Sequence, residues 1–278
     1  MARPTAIQLL RFEDGQTRRT EDQLVLEEPL QISLSYYFKQ SRATKNLAIT
    51  MRTPGHDLDL TAGFLFTEGI VRHRQELIGL RHLGPGPESN EVMADLSPEV
   101  DVAEERLNRN FYTTSSCGIC GKASIEALQV DSAASPPLDA PCVTAALLAS
   151  LPDSMRLAQQ TFAETGALHA CGLFDSNGNL LLVREDVGRH NAVDKVIGAE
   201  FLAARTPLLA SILVLSGRAG FELIQKAAVA AVPVVVAVGA PTSLAVETAR
   251  RFGMTLAGFA RDGRCNVYSG EQRVRRES

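Results

Sequence analysis

The sequence predicts an α/β protein, α+β overall, in which a smaller β-rich N-terminal part precedes an α/β C-terminal part. In the first fifty residues, apolar and polar side chains alternate with a period near two, which is typical of half-buried strands. From residue 168 onward, short apolar runs alternate with longer helical patterns, as in sheets that helices cover on both faces. A chain of 278 residues that is 45% hydrophobic can bury a full core as one large domain or two small ones.

The N-terminal part is predicted to contain several strands and one helix. Four runs alternate with a period near two and are predicted as strands, at residues 7–12, 24–26, 31–38 and 46–51. A turn at 53–56 precedes Asp57, which is expected to cap a helix that ends near Gly69. Residues 79–110 add one or two short strands around 91–96. We therefore expect a β-rich unit packed on a single helix.

A polar loop with two cysteines lies between the two parts. Cys117 and Cys120 are separated by two residues, and a helical pattern starts near Ala123. Small residues and prolines at 132–137 then mark a boundary or a surface crossing. The predicted organisation is a β-rich part at 1–110, the cysteine loop with its helix at 111–135, and an α/β domain at 136–278.

After this connector, helical and extended patterns alternate as far as residue 259. Pro152 and Asp153 separate two predicted helices, with Asp153 as the N-cap of the second. Residues 175–179 carry a strong turn signal between two strands. The predicted helices are 143–151, 152–164, 191–204, 219–231 and 243–252, and the predicted strands are 168–174, 180–185, 211–216, 233–238 and 254–259. The later strands are almost entirely apolar, which is expected of central strands in an α/β sheet.

The cysteine pair has the most distinctive chemistry in the chain. A thiolate is a nucleophile and a metal ligand, and a helix N-terminus or a nearby lysine lowers the pKa of its thiol. Lys122 and the predicted helix entry provide both conditions beside Cys117 and Cys120, and Gly118 and Gly121 leave the sulfurs uncovered. The spacing alone is compatible with half of a structural zinc site, a dithiol redox pair, two inert thiols or a cysteine that carries sulfur.

Polar residues follow four predicted strands of the C-terminal part. In open α/β sheets, ligands bind beyond the carboxyl ends of the strands, where helix N-termini present free N–H groups. Cations and hydroxyls at these ends, together with Lys226, predict a site for a polyanion such as a nucleotide phosphate. Asn191 and Asp194 resemble a capping box. The candidate binding residues are Arg189, His190, Arg218, Thr242, Ser243, Arg261 and Arg264. In the alternative interpretation, they are ordinary helix caps and ion-pair partners.

Composition and cysteine usage exclude several classes of protein. A net charge of -4 argues against bulk nucleic-acid binding, and the longest apolar run, 227–240, is too short to cross a bilayer. The five cysteines lack the spacing of a disulfide framework, which favours a reducing cytoplasm. Cys142 and Cys171 are expected to be buried as small hydrophobes and, with Cys265, to be dispensable. His169 is expected to be a sheet histidine, although with Cys171 it could supply metal ligands beside the cysteine pair.

Several strings in the chain closely resemble the FdhD family of formate dehydrogenase accessory proteins, from about residue 30 to 268. The matching strings are Met51-Arg-Thr-Pro-Gly-His-Asp57, Ala62-Gly-Phe-Leu-Phe-Thr-Glu-Gly69, Ser116-Cys-Gly-Ile-Cys-Gly-Lys122, Thr165-Gly-Ala-Leu-His-Ala170, Glu185-Asp-Val-Gly-Arg-His-Asn-Ala-Val-Asp-Lys195, Ser216-Gly-Arg-Ala-Gly-Phe-Glu222 and Ala240-Pro-Thr-Ser-Leu-Ala-Val246. The long string at 185–195 is specific to the family, whereas a Cys-x-x-Cys alone would not be.

This resemblance implies a sulfur carrier. Family members take sulfur as a persulfide from a cysteine desulfurase and pass it to the molybdenum bis(molybdopterin guanine dinucleotide) cofactor of formate dehydrogenase. On the matching positions, Cys117 would hold the persulfide and Cys120 would assist. The family's cofactor-binding stretch corresponds to Phe259, Ala260, Arg261, Asp262, Gly263 and Arg264. GDP-like nucleotides are expected to bind the same site.

The resemblance also implies a fold and an assembly. The family's C-terminal half resembles the three-layer, mixed-sheet fold of cytidine deaminases, but this chain lacks the zinc motif of those enzymes, so deamination is not expected. A homodimer without nucleic acid, membrane or resident metal is implied. The alternatives that remain are a structural zinc or dithiol redox protein and a nucleotide-binding regulatory module without chemistry.

Overall fold

The computed structural model describes residues 4–39, 41–84, 89–100 and 136–275, together with the backbone of residues 111–112. The predicted cysteine loop, including Cys117 and Cys120, lies outside these residues, as does the helix expected from Ala123. The described residues form two main sheets with helices between them.

The N-terminal part contains a hairpin and a five-stranded sheet. β1 (Thr5–Glu13) and β2 (Gln16–Leu24) form the antiparallel hairpin, and β3 (Glu28–Phe38), β4 (Ser41–Arg52), β5 (Leu77–His82), β6 (Glu91–Leu96) and β7 (Phe111–Tyr112) form a sheet in the order β5-β6-β3-β4-β7. The strand predicted at 24–26 is wrong. Asp14 and Gly15 have φ angles of 51° and 75° and make a two-residue turn that pairs residues 16–24 with β1 instead.

The C-terminal sheet has six strands, of which the central ones are parallel. β9 (His169–Phe174), β10 (Leu180–Asp186), β11 (Ile212–Leu215), β12 (Val234–Ala237), β13 (Thr255–Arg261) and β14 (Arg264–Ser269) lie in the order β10-β9-β11-β12-β13-β14. β11, β12 and β13 are parallel to one another, and their other neighbours are antiparallel. β8 (Val143–Thr144) and β15 (Val274–Arg275) form a small separate pair. The predicted α/β class with a mixed sheet is confirmed.

Six helices are present in the described residues: α1 (Asp57–Thr67), α2 (Ala145–Leu157), α3 (Gln160–Thr165), α4 (Arg189–Leu202), α5 (Phe221–Val229) and α6 (Ser243–Arg251). The predicted break at Pro152 is wrong, because α2 continues through the proline. Thr144 is the N-cap of α2, and Asp153 caps nothing. Burial of Leu148, Leu151 and Met155 against the sheet holds the helix together across the proline.

Asp57 is the first residue of α1 rather than its cap. Its two carboxylate oxygens accept hydrogen bonds from Nε and Nη2 of Arg52, both at 3.0 Å, so the side chain is used in a buried ion pair with the end of β4. None of the helices in the described parts of the chain has the length and apolar character needed to cross a bilayer.

The helices divide the molecule into layers. α4, α5 and α6 cover one face of the C-terminal sheet and α2 covers the other, so that alternate residues of each strand enter two different cores. α1 lies between α4 and the N-terminal sheet, and its Leu60 packs on Leu30, Ile32 and Val92 of that sheet. The two halves therefore share a continuous core through α1 and α4.

Two glycines let α1 and α4 approach at backbone distance. A Cβ atom on Gly63 would lie 1.9 Å from the carbonyl oxygen of Asp194, and one on Gly198 would lie 1.9 Å from that of Asp59. Real Cβ atoms do not approach so closely, and a helix backbone cannot move aside as a flexible side chain can.

Gly198→Ala is expected to lower the free energy of unfolding by about 2–3 kcal/mol, because the added methyl group must force α1 and α4 apart. Guanidinium chloride unfolding followed by circular dichroism measures this change. Gly220→Ala is the matched control, because a Cβ there meets no atom within 4 Å. Equal stability of the two variants would contradict the close crossing.

Candidate functional site

The carboxyl ends of four strands meet at one edge of the C-terminal sheet. β10 and β11 both lie antiparallel to β9 and therefore point the same way, and β12 and β13 are parallel to β11. The first residue of β9, His169, lies opposite Asp186 at the end of β10 and so belongs to the same edge. We call this edge, formed by His169 and residues 186–190, 216–222, 238–243 and 259–264, the anion rim.

Backbone hydrogen bonds fix the loops of the anion rim to one another. The amide of Gly239 donates to the carbonyl of Gly217 at 3.0 Å, and the amide of Phe259 donates to the carbonyl of Gly239 at 3.2 Å. Gly239 must be small, because a Cβ there would lie 3.0 Å from the backbone nitrogen of Arg218. The loops that carry the predicted binding residues are thus extensions of the sheet ladder, with a defined geometry.

The predicted binding residues differ in exposure. Arg218, Thr242, Ser243, Phe259, Arg261, Asp262, Gly263 and Arg264 are exposed, Arg189 and His190 are half-buried, and Ala260 is fully buried. The side chain of Ala260 packs in the core under α2, so only its backbone could contact a ligand. Thr242 is the N-cap of α6, as in the alternative interpretation of this residue, since its Oγ1 accepts a hydrogen bond from the amide of Ala245 at 3.3 Å.

The β13–β14 connection is a tight turn with left-handed residues. Arg261 and Arg264 lie opposite each other, and Asp262 and Gly263 between them have φ angles of 52° and 73°. Phe259 also has a positive φ, 52°, where the register of β13 shifts. A bulky residue in the left-handed region costs conformational energy and is concentrated at functional sites. The structure thus places one strained aromatic residue and two arginines together at this end of the rim.

His169, Arg189 and His190 form the other end of the rim, together with Glu222. Burial lowers the pKa of His169, and the nearby charges of Arg189 and His190 lower that pKa further, against an opposing effect of Asp186. The lowered pKa favours the neutral form of His169. Nε2 of His190 lies 2.8 Å from Oε2 of Glu222. Sequence reasoning did not assign a role to Glu222, since a single acidic residue in the first turn of a helix is common.

The capping box predicted from Asn191 and Asp194 is wrong. α4 begins two residues earlier, with Gly188 as its N-cap. Nδ2 of Asn191 instead donates to Oδ1 of Asp186 at 3.0 Å and to the carbonyl of Met51 at 2.8 Å. Asp194 faces α1 and α5, because it lies on the buried side of α4.

Lys226 was predicted to join the anion rim, and this prediction is also wrong. Its ammonium group is buried between α4 and α1, 2.9 Å from Oδ2 of Asp194 and 2.8 Å from Oγ1 of Thr67. Burial alone would lower the pKa of Lys226, but Asp194 and Glu68 outweigh burial and raise it. Because the carboxylates on both sides hold this charge inside the core, the lysine is not directed at a ligand.

A second buried ion pair, between Lys195 and Asp186, connects the rim to Thr53 of the N-terminal part. Nζ of Lys195 lies 2.7 Å from Oδ2 of Asp186 and donates to the carbonyl of Thr53 at 2.8 Å. The amide of Thr53 donates to the same carboxylate, and the carboxylate of Glu185 accepts hydrogen bonds from the amides of Thr161 and Phe162 at the start of α3. Lys195 and Asp186 therefore join the two halves through Thr53, whereas Glu185 binds the start of α3 within the C-terminal part.

The described cysteines are unsuited to sulfur chemistry or lie outside the rim. Cys171 is fully buried, and burial followed by the charge of Asp194 raises the pKa of its thiol. Burial also raises the pKa of the half-buried Cys265. Cys142 is exposed, which contradicts the expectation that it is buried; it lies in the segment that precedes β8 and α2. Within the described residues, no three His, Cys, Asp or Glu side chains come together as metal ligands.

Comparisons with known proteins agree along nearly the whole chain. Residues 25–275 match the sequence profile of the FdhD/NarQ family. The chain is 47% identical over 273 residues to the sulfur carrier protein FdhD of Streptomyces coelicolor, covering 96% of this chain and 94% of that protein. It is 39% identical to the protein of the same name in Sulfolobus acidocaldarius, over 96% and 97% of the two chains.

A solved structure shares the fold. The crystal structure of a proposed formate dehydrogenase accessory protein from Desulfotalea psychrophila superposes with a TM-score of 0.72, over 99% of this chain and 100% of the other. The two sequences are 22% identical, so this likeness supports the architecture alone.

Proposed function

The chain belongs to the FdhD/NarQ family, and from that membership we propose that it is a sulfur carrier required for the activity of formate dehydrogenase. We propose further that it takes sulfur from a cysteine desulfurase on Cys117, with Cys120 assisting, and passes it to the bis(molybdopterin guanine dinucleotide) form of the molybdenum cofactor. The observation that carries this proposal is the convergence of arginines and helix N-termini at one sheet edge, in a chain that also contains a Cys-x-x-Cys pair.

The loading step is a thiol exchange without net oxidation. The thiolate of Cys117 attacks the outer sulfur of the persulfide on the desulfurase, the donor S–S bond breaks, and the thiolate of the donor cysteine leaves. A new S–S bond on Cys117 replaces the bond that is lost.

The residues that would bind the incoming cofactor are the exposed Arg218, Arg261 and Arg264, whose positive charges complement the negative charge of a diphosphate.

Intact-mass analysis tests the carrier function directly. After incubation with a cysteine desulfurase and L-cysteine, the protein should gain the mass of one sulfur atom, and a thiol reductant should remove it. Peptide mapping should place the added sulfur on Cys117. Stoichiometric zinc bound through Cys117 and Cys120, with no gain of sulfur, would instead identify the structural zinc alternative.

Arg261→Ala should weaken the binding of GDP about ten- to a hundredfold, because a charge-assisted hydrogen bond contributes roughly 1.5–3 kcal/mol. The wild type should bind GDP more tightly than ADP, since the proposed cofactor ends in guanosine. Isothermal titration calorimetry with both nucleotides measures this.

Arg251→Ala is the control, since Arg251 is an exposed arginine in the last turn of α6, at the opposite end of that helix from the rim. Equal affinity for GDP and ADP, or an Arg261→Ala variant that binds GDP like the wild type, would remove the rim from the proposed cofactor site.

The oligomeric state and the cellular compartment belong to the same proposal. We expect a homodimer, which light scattering coupled to size-exclusion chromatography would detect as twice the chain mass. We also expect the protein to work in the reducing cytoplasm, where a persulfide carrier can be regenerated by thiol exchange.

A further inference from the structure

Glu222 is an unexpected residue in a rim that is otherwise rich in cations. It lies in the first turn of α5, immediately after the loop that carries Arg218. A carboxylate at this position repels a phosphate ligand, although the helix N-terminus itself favours a negative charge. The side chain of Glu222 is only 12% exposed, so water does little to screen this charge.

The contacts of Glu222 are specific. Oε2 lies 2.8 Å from Nε2 of His190, whose side chain is 20% exposed. Oε1 is buried and has no hydrogen-bond partner among the described residues. The 2.8 Å contact of Oε2 with Nε2 of His190 is therefore the polar contact that holds this carboxylate in place among the described residues. The pair connects the first turns of α4 and α5 across the rim.

An ionised carboxylate only accepts hydrogen bonds, so a hydrogen bond across this 2.8 Å contact requires the hydrogen on Nε2 of His190. This contact fixes the orientation of the imidazole and directs the remaining chemistry to Nδ1, which has no partner within the described parts of the chain. When the ring is doubly protonated, Nδ1–H can donate to an anion. Arg189 precedes His190 in the first turn of α4, so a guanidinium group and a helix N-terminus lie beside this ring and suit a negatively charged ligand group.

We infer that Glu222 is a positioning residue, which orients His190 so that Nδ1 of the imidazole donates to a phosphate oxygen of a nucleoside diphosphate bound at the anion rim. This inference rests on the proposed function, because it requires that the rim bind such a diphosphate. Glu222 itself contacts no ligand, and its contribution passes entirely through His190. The same logic applies to carboxylates that orient metal-bound or catalytic imidazoles in other proteins.

A double-mutant cycle with GDP as the probe tests this dependence. His190→Gln should weaken GDP binding about tenfold, as expected for the loss of one hydrogen bond to a charged group. Glu222→Gln should weaken GDP binding roughly fivefold when His190 is present, but less than about twofold in the His190→Gln background. Glu222→Asp keeps the charge but shortens the side chain, and should resemble Glu222→Gln. Glu247→Gln, at an exposed carboxylate of α6, should leave the affinity unchanged.

Nitrogen NMR of the histidine rings separates the two roles, because the His190 signals would not change if Glu222 were only structural. In the wild type, the His190 signals should show hydrogen on Nε2, and Glu222→Gln should redistribute it between the two nitrogens. GDP should shift the Nδ1 signal of the wild type and should shift it less in Glu222→Gln.

The outcomes separate the two proposals. If the wild type binds GDP and Arg261→Ala weakens that binding, but the losses from His190→Gln and Glu222→Gln simply add, the positioning role is wrong and the rim remains. If the wild type binds neither GDP nor inorganic diphosphate, the rim is not a diphosphate site and the positioning role fails with it, whereas the sulfur-carrier function is decided separately by the gain of one sulfur atom on Cys117. An unchanged His190 spectrum in Glu222→Gln overturns the positioning role whatever the affinities.

Discussion

Cys117→Ala is expected to abolish the maturation of formate dehydrogenase while leaving the protein folded. If Cys117 holds the transferred sulfur, no other described cysteine is expected to replace it. Burial raises the thiol pKa of the fully buried Cys171 and of the half-buried Cys265, and Cys142 precedes α2 on the opposite face of the sheet from α4, α5 and α6. The measurement is formate dehydrogenase activity in cells that lack the native carrier and express the variant. Activity should fall to the level of cells without any carrier.

The control for this experiment is Cys142→Ala, which removes another exposed thiol. It should retain full maturation activity, and so should Cys265→Ala. Cys120→Ala should lie between the extremes, because a relay residue assists the transfer without holding the sulfur. Full activity of Cys117→Ala would show that the carrier assignment is wrong, whatever the nucleotide affinity of the rim.

Local patterns were sufficient to predict most of the fold. The apolar runs at 212–215 and 234–237 and the helix between them follow from periodicity and turn residues, and the structure places all three within a few residues of the predicted bounds. Residues 16–24 lack this signal because both faces of the hairpin are largely exposed and polar residues dominate β2. Pro152 misled the prediction because burial in the core outweighed the loss of one helical hydrogen bond.

The rim could be predicted only in part. Strand ends and arginines are visible in the sequence, since parallel strands in one sheet place their carboxyl ends together. The partners of the buried charged residues are not visible in the sequence, because they are distant from them along the chain. Lys226 reaches Thr67 across 159 positions, and Asp186 accepts a hydrogen bond from the amide of Thr53 across 133. A lysine in an apolar helix gives no local signal that distinguishes a core ion pair from a ligand contact.

The second large effect concerns the buried pair that joins the two halves. Lys195 and Asp186 have side chains that are 1% and 0% exposed, and both contact Thr53 at the end of the N-terminal sheet. Lys195→Met leaves the carboxylate of Asp186 buried without its cation, although the hydrogen bonds from Gly188 and Asn191 remain. Breaking a buried ion pair in this way costs about 3–5 kcal/mol.

We therefore expect Lys195→Met to reduce the free energy of unfolding by about 3–5 kcal/mol, measured by guanidinium chloride denaturation. Adding Asp186→Asn should recover part of the loss, because the unpaired charge is then removed.

Arg18→Met is the control, since both side chains of the Arg18–Glu13 pair are about 60% exposed and the pair should contribute less than about 1 kcal/mol. Similar losses in Lys195→Met and Arg18→Met would contradict the buried pair. A double variant no more stable than Lys195→Met would show that the unpaired charge is not the cause, and that the contact of Lys195 with Thr53 holds the two halves together.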